Sequence, residues 1–153
     1  MWLDELPGGL TPRAALSGDL SVDVVVVGAG FTGLWTAYYL KSLDPSLSVL
    51  VIEREFVGFG ASGRNGGWAG GELAAGVEKY ARISSLGESL RLTRAVFDSV
   101  DEIGRVVADR GIECGYTKGG TIRLARNKAQ LSRQIAEVAH HHSLGFGDAD
   151  FCL

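Results

Sequence analysis

A β-branched run, Val22-Asp23-Val24-Val25-Val26-Val27, stops abruptly at Gly28. Such a run suits a strand buried on both faces of a parallel sheet. From Phe31 to Leu43 the apolar residues Leu34, Ala37, Tyr38 and Leu40 fall at helical spacing, and Asp44-Pro45 ends the pattern. Ser48-Val49-Leu50-Val51-Ile52 predicts a second strand that finishes at Glu53. Together these make a β-α-β unit of about 30 residues, whose crossover should be right-handed.

Beyond Glu53 the pattern changes. Residues 54–71 are loop-like, and two helices are expected after them, a short one over 73–83 and a long one over 85–110. The long one aligns Leu86, Leu90, Thr93, Phe97, Val100 and Val107 along one face, and Gly111 is placed to end it. Residues 112–116 and 121–125 read as two short strands joined by Lys118-Gly119-Gly120, a hairpin. Asn127 can cap a last helix, with Gln130 completing a capping-box pattern, and Gly145 closes it. Before the first strand, Pro7-Gly8-Gly9 and Thr11-Pro12 break any regular element. The expected organisation is an irregular lead-in over 1–20, a first region over 21–111 that opens with the β-α-β unit, and the beginning of a second domain over 112–153. A complete doubly wound domain needs at least three parallel strands. Only two are found here, and residues 151–153 read as the start of another, so the sequence is expected to be part of a longer protein.

Composition narrows the classes. With 153 residues, 46% hydrophobic and 22% charged, the chain can bury a core and is ordinary for a soluble domain. A net charge of −3 argues against a nucleic-acid binder, which would need a basic surface. The apolar run at 22–27 is far short of the roughly 20 residues that span a bilayer. The start, Met1-Trp2-Leu3-Asp4-Glu5, is acidic where a secretory signal is basic, so a cytoplasmic location without membrane attachment is expected. Cys114 and Cys152 have no paired spacing and are read as reduced thiols. His140, His141 and His142 are adjacent, and successive residues on a helix point about 100° apart. They are therefore read as a solvated helix end, not a metal site.

The 22 glycines are the unusual number, and they cluster at 28–33 and 58–71. Gly28-Ala29-Gly30-Phe31-Thr32-Gly33 follows a strand and opens a helix, as a dinucleotide-binding turn does. Gly28 allows the bend, Gly30 lets the backbone close on a pyrophosphate, and Gly33 lets helix and strand pack closely. The helix N-terminus adds N–H groups and partial positive charge that favour a diphosphate. Glu53 lies about 20 residues past the turn, where a carboxylate accepts hydrogen bonds from ribose hydroxyls. It would repel a 2′-phosphate, although Arg54 beside it softens that discrimination. The unit by itself leaves NAD and FAD open.

The next segment is Gly58-Phe59-Gly60-Ala61-Ser62-Gly63-Arg64-Asn65-Gly66-Gly67-Trp68, where an NAD domain would usually enter another helix. This stretch, with Asp23 to Tyr39 before it, resembles the amine-oxidising flavoproteins of the glycine oxidase, sarcosine oxidase and D-amino-acid oxidase family. The likeness continues more loosely through Gly119-Gly120-Thr121 into the last helix. It implies an α/β fold: a Rossmann-like FAD-binding β-α-β unit with helices, then the start of an α+β substrate domain. It also implies that Gly28, Ala29, Gly30, Phe31, Thr32 and Gly33 hold the pyrophosphate, with Glu53 and the adjoining Arg54 at the ribose. Ala61, Ser62 and Gly63 would line the phosphate and ribityl region. Arg64, Asn65, Gly66 and Gly67 would bring N–H donors towards the isoalloxazine ring, where they stabilise the reduced flavin. Trp68 is read equally as a flavin neighbour or a core aromatic.

The family oxidises the carbon bearing an amine and passes electrons to oxygen or another acceptor. Some relatives attach the flavin through a histidine in this loop. No histidine occurs before His140, so a non-covalent FAD is expected. No acid-base pair stands out, and no catalytic side chain is assigned. The alternatives are an NAD-dependent dehydrogenase, which would need a third parallel strand after Ile83, and a non-catalytic flavin-binding fragment.

Overall fold

The computed structural model describes residues 10–153. The Pro7-Gly8-Gly9 break lies outside them, while residues 10–20 carry no helix or strand, in keeping with Thr11-Pro12. The chain forms two compact units, the first ending at Trp68 and the second spanning Ala69–Leu153.

The first unit is the β-α-β unit: strand β1 (Val24–Val27), helix α1 (Phe31–Leu43) and strand β2 (Val49–Ile52). β1 and β2 pair in parallel, from Val24 opposite Val49 to Val27 opposite Ile52. At the open end of the ladder the Asp23 carboxylate accepts from Ser48 N–H at 2.8 Å and from its hydroxyl at 2.6 Å. Asp23 N–H donates back to Ser48 Oγ at 2.9 Å. These bonds pin the register where no further backbone pairing is available. At the far end of α1, Lys41 Nζ donates to the carbonyls of Pro45 and Leu47, tying the helix to the turn that leads into β2.

Only one face of β1 is covered. Val26 points at α1, where a side chain on Gly33 would stand 3.2 Å from its Cγ1. Val25 and Val27 face the other way and are 50% and 81% exposed. The expectation of burial on both faces is therefore corrected. Side chains alternate along a strand, and α1 is the one α-helix among the described residues of this unit.

The second unit carries helices α2 (Gly76–Ile83), α3 (Leu86–Asp109) and α4 (Lys128–Ser143). α2 and α3 pack through Val77 and Ser89, both buried, and the Ser89 hydroxyl donates to the Val77 carbonyl at 2.6 Å. Ser85 caps α3 by accepting from Glu88 N–H at 3.2 Å. Along α3 the buried positions are Ser89, Thr93 and Val106, while Leu86 is 50% exposed and lies outside the apolar face expected for it. α2 begins at Gly76, not at 73: its N-cap Ala75 takes left-handed backbone (φ 79°), which breaks any helical path running in from residue 73.

The expected hairpin does not form. Residues 112–126 contain no strand, and Ile122 and Leu124 are 84% and 80% exposed. A two-stranded hairpin with nothing against its apolar face is marginal in water. Side chains hold this segment instead. The Tyr116 hydroxyl donates to the Val100 carbonyl at 2.7 Å, and its ring fills the space beside Gly104. Lys118 pairs with Asp101. Arg123 pairs with Glu72 and Glu137, both at 2.7 Å. Residues 151–153 likewise form no strand. Instead Phe151 joins Phe97, Phe146 and His141 in an aromatic cluster, with Arg94 lying 4.4 Å over the Phe146 ring.

Candidate cofactor site

The site is built at the end of the parallel ladder, where β1 breaks into α1. Gly28 takes φ 98°, a backbone open to glycine and strained for other residues. Gly30 is the N-cap of α1, and Gly33 lies buried in its first turn. A Cβ on Gly33 would stand 2.0 Å from the carbonyl oxygen of Gly28, so the close packing expected of this position is present.

Four hydrogen bonds brace the turn from outside. Gly28 N–H donates to the Ile52 carbonyl at 2.8 Å, extending the ladder by one step. Ala29 N–H donates to Glu53 Oε2 at 3.0 Å. The Ala29 carbonyl accepts from Gly58 N–H at 2.9 Å. Phe31 N–H donates to Ser62 Oγ at 2.9 Å. Ala29 is only 1% exposed at the centre of this arrangement. Glu53 also accepts from Glu55 N–H, through Oε1 at 3.1 Å. The Ala29 N–H first, and the Glu55 N–H after it, hold the Glu53 carboxyl below its ordinary range. Each carboxylate oxygen has a second lone pair, so hydroxyl donors could still bond to it. Arg54 is 85% exposed and paired with Glu55 at 3.1 Å, and its charge adds a last, small contribution in favour of the ionised Glu53 carboxyl.

The second glycine segment reproduces the first, a recurrence that sequence reading passed over. Gly58, Gly60 and Gly63 repeat the spacing of Gly28, Gly30 and Gly33. Gly58 again has positive φ (77°), and Gly60 again caps a helical turn, here one 3-10 turn over Ala61–Gly63. A Cβ on Gly63 would meet the Gly58 carbonyl oxygen at 2.2 Å. The spacing was visible, but without a strand ahead of it or a long helix behind it, it gave no sign of shared geometry.

The rest of the loop is held by its own side chains. Asn65 Oδ1 accepts from Gly67 N–H and Nδ2 donates to the Ser62 carbonyl, both at 2.7 Å. Arg64 Nε donates to the Phe59 carbonyl at 2.7 Å, and its guanidinium lies 4.8 Å over the Phe59 ring. Trp68 is 86% exposed and takes no part in the core of this unit. Thus Gly28, Ala29, Gly30, Phe31, Gly33, Glu53 and Ser62 are drawn into one bonded cluster. Ala61, Gly63 and residues 64–67 follow on its second turn, and Arg54 borders the cluster beside Glu53, paired with Glu55.

The family model of FAD dependent oxidoreductases matches residues 23–149. The chain belongs to this family. It is 33% identical over 125 residues to the probable oxidoreductase OrdL of Haemophilus influenzae, covering 81% of this chain and 28% of that protein. It is 31% identical over 121 residues to the gamma-glutamylputrescine oxidoreductase of Escherichia coli, covering 79% and 28%. A shorter stretch of 43 residues is 51% identical to the sarcosine oxidase subunit beta of Rhodobacter capsulatus, covering 28% and 10%. The chain therefore spans about a quarter of the length of the first two relatives. No solved structure matches it.

Membership makes FAD the cofactor to test against the geometry, and the residues fit. Small residues line both turns, the N-terminus of α1 opens at the first, and a carboxylate stands beside it. The histidines are engaged elsewhere. His140 pairs with Glu78 at 2.7 Å, His141 stacks on Phe151, and His142 bonds the Phe151 carbonyl at 2.8 Å. Among the described residues no cluster of His, Cys, Asp or Glu could hold a metal, both cysteines are free, and no helix is long and apolar enough to cross a membrane.

Proposed function

We propose that this chain is the cofactor-binding part of an enzyme that oxidises the carbon–nitrogen bond of a small amine or amino acid, with non-covalent FAD as hydride acceptor. The observation that carries the reading is the bonded pair of glycine turns with Glu53 fixed on the first. In this reading Gly28–Gly33 seats the diphosphate at the N-terminus of α1, where N–H groups and the helix dipole favour negative charge. Glu53 receives the ribose hydroxyls, its charge maintained by the Ala29 and Glu55 N–H groups. Arg54, already paired with Glu55, lies at the ribose edge and adds charge more than contact. Ala61, Ser62 and Gly63 line the phosphate and ribityl region, and Arg64, Asn65, Gly66 and Gly67 face the ring.

Bound flavin supplies the redox chemistry, accepting a hydride equivalent from the carbon that bears nitrogen. The residues of this chain bind and orient it. The amine class is suggested by two relatives whose names carry gamma-glutamylputrescine and sarcosine. Oxygen or another carrier takes the electrons onward. The remaining substrate-binding residues belong to the length of the relatives that this chain does not match, and the chain alone does not turn over. A cytoplasmic, membrane-free protein with no nucleic-acid partner completes the reading. No strand follows Ile83 among the described residues, which favours FAD over an NAD domain.

The test is the visible spectrum of the purified protein. A yellow chromophore that stays with the native chain and is released on denaturation is expected. A colourless protein that binds NAD and not FAD would overturn the proposal.

A further inference from the structure

The three glycines of the first turn are required for three different reasons. Gly28 needs its positive φ, and Gly33 has no room because the Gly28 carbonyl stands against it. Gly30 has neither constraint. Its backbone (φ −88°, ψ −173°) is open to any residue. A Cβ there would meet one residue within 4 Å, namely Ser62, with Oγ at 2.9 Å and Cβ at 3.8 Å. That same Oγ accepts the hydrogen bond from Phe31 N–H.

We propose that Ser62 is a positioning residue of the cofactor cradle: its hydroxyl fills the space left by Gly30 and fastens the second glycine turn to the N-terminus of α1. The glycine at position 30 then leaves room for the Ser62 hydroxyl as well as for a diphosphate. The proposal rests on the FAD reading above for its ligand, though not for its geometry. Its consequence is positional. Ser62 sets the distance between the Gly28–Gly33 turn and the loop that carries Arg64 to Gly67. The Gly58 N–H bond to the Ala29 carbonyl involves no side chain and survives loss of the hydroxyl. Removing Ser62 Oγ should therefore loosen the cradle without unfolding it.

The experiment is a double-mutant cycle on the full chain: wild type, Ser62→Ala, Gly30→Ala and the double variant. FAD and ADP are titrated separately, FAD by the change in its own fluorescence and ADP by competition, and melting temperatures are recorded without ligand. Ser62→Ala should weaken FAD binding up to about tenfold, as loss of one hydrogen bond allows. ADP, which occupies the first turn alone, should lose less. A purely structural serine would leave the ratio of FAD to ADP affinity unchanged, and that result overturns the positioning role. Gly30→Ala should cost at least as much as Ser62→Ala in both binding and melting, because the hydroxyl must turn away from Phe31 N–H to make room for the added methyl. In melting temperature the double variant should return to the Ser62→Ala level, because alanine at 62 keeps only the Cβ at ordinary contact distance. A double variant whose melting loss is the sum of the two single losses overturns the inference. If wild type fails to bind FAD, the proposed function falls, and the melting temperatures alone still decide whether Gly30 answers to Ser62.

Discussion

Glu53 accepts a hydrogen bond from the backbone N–H of Ala29 at 3.0 Å, so the carboxylate at the end of β2 is part of the glycine turn at the end of β1. The bond favours the charged carboxyl, which lies below its ordinary pKa. A carboxyl lowered in the folded state contributes stability that is present above its unfolded pKa and lost as pH falls through the folded one. Wild type should therefore lose melting temperature on acidification through the carboxylate range more steeply than Glu53→Gln. At neutral pH Glu53→Gln should melt lower than wild type and bind FAD more weakly. Parallel melting curves for the two proteins across that range would count against the Glu53 contribution.

Within the two glycine turns the same substitution has different outcomes at different positions. Gly33→Ala and Gly63→Ala each place a Cβ within 2.2 Å of a backbone carbonyl, which cannot swing aside as a side chain could. Gly33→Ala, between α1 and β1, should destabilise the first unit by about 3 kcal/mol. Gly63→Ala should disturb the 3-10 turn, with a smaller loss of stability and a clear loss of FAD affinity. Gly60→Ala has open space and φ −75°, and should change stability by no more than about 0.5 kcal/mol. Chemical denaturation of the three variants ranks them, and a Gly60→Ala loss equal to that of Gly33→Ala would refute the packing argument.

The first unit was legible because its signals are local. The valine run, the glycine at its end and the Asp44-Pro45 stop each act on neighbouring residues, and β1, α1 and β2 fall where they point. The hairpin was not legible, because alternation at 121–125 specifies a strand only if something covers Ile122 and Leu124. In this structure nothing does, and Arg123 and Tyr116 settle the path through partners distant in sequence. In the site, glycine spacing could be read directly. The bond between Ser62 and Phe31 spans two segments that no periodicity relates, so only the fold could disclose it.

Asn127 illustrates a local signal that sequence reading caught in part. Its side chain accepts from Gln130 N–H at 2.9 Å, as an N-cap should. The Gln130 side chain returns to Arg126 N–H at 2.7 Å, one residue earlier than a reciprocal capping box requires. Asn127→Ala should cost the second unit about 1 kcal/mol, and Asn127→Asp should recover most of it. Equal stability of Asn127→Ala and wild type in urea would show that the cap is dispensable.

His141 gives the second unit its own pH dependence. The imidazole stacks on Phe151 with ring centroids 3.7 Å apart, and its Nδ1 is buried without a hydrogen-bond partner among the described residues. Burial pushes its pKa down, the Glu137 and Glu78 carboxylates oppose that shift, and His140 and Arg123 reinforce it. The unfolded state therefore binds a proton more readily than the folded one. Stability from this site is complete above the ordinary histidine value of about 6.5 and is lost as pH falls through the lower folded value. His141→Phe keeps an aromatic against Phe151 and Phe146 and removes the titration. That variant should melt near wild type at pH 8 and above it at mildly acidic pH. Glu78 is paired with the neighbouring His140 at 2.7 Å, and its own backbone N–H and that bond hold its carboxyl below the ordinary value, so a His140→Gln control is needed to separate the Glu78 contribution. If the acid sensitivity disappears in His140→Gln and persists in His141→Phe, it belongs to the Glu78 pair and not to the stacked ring.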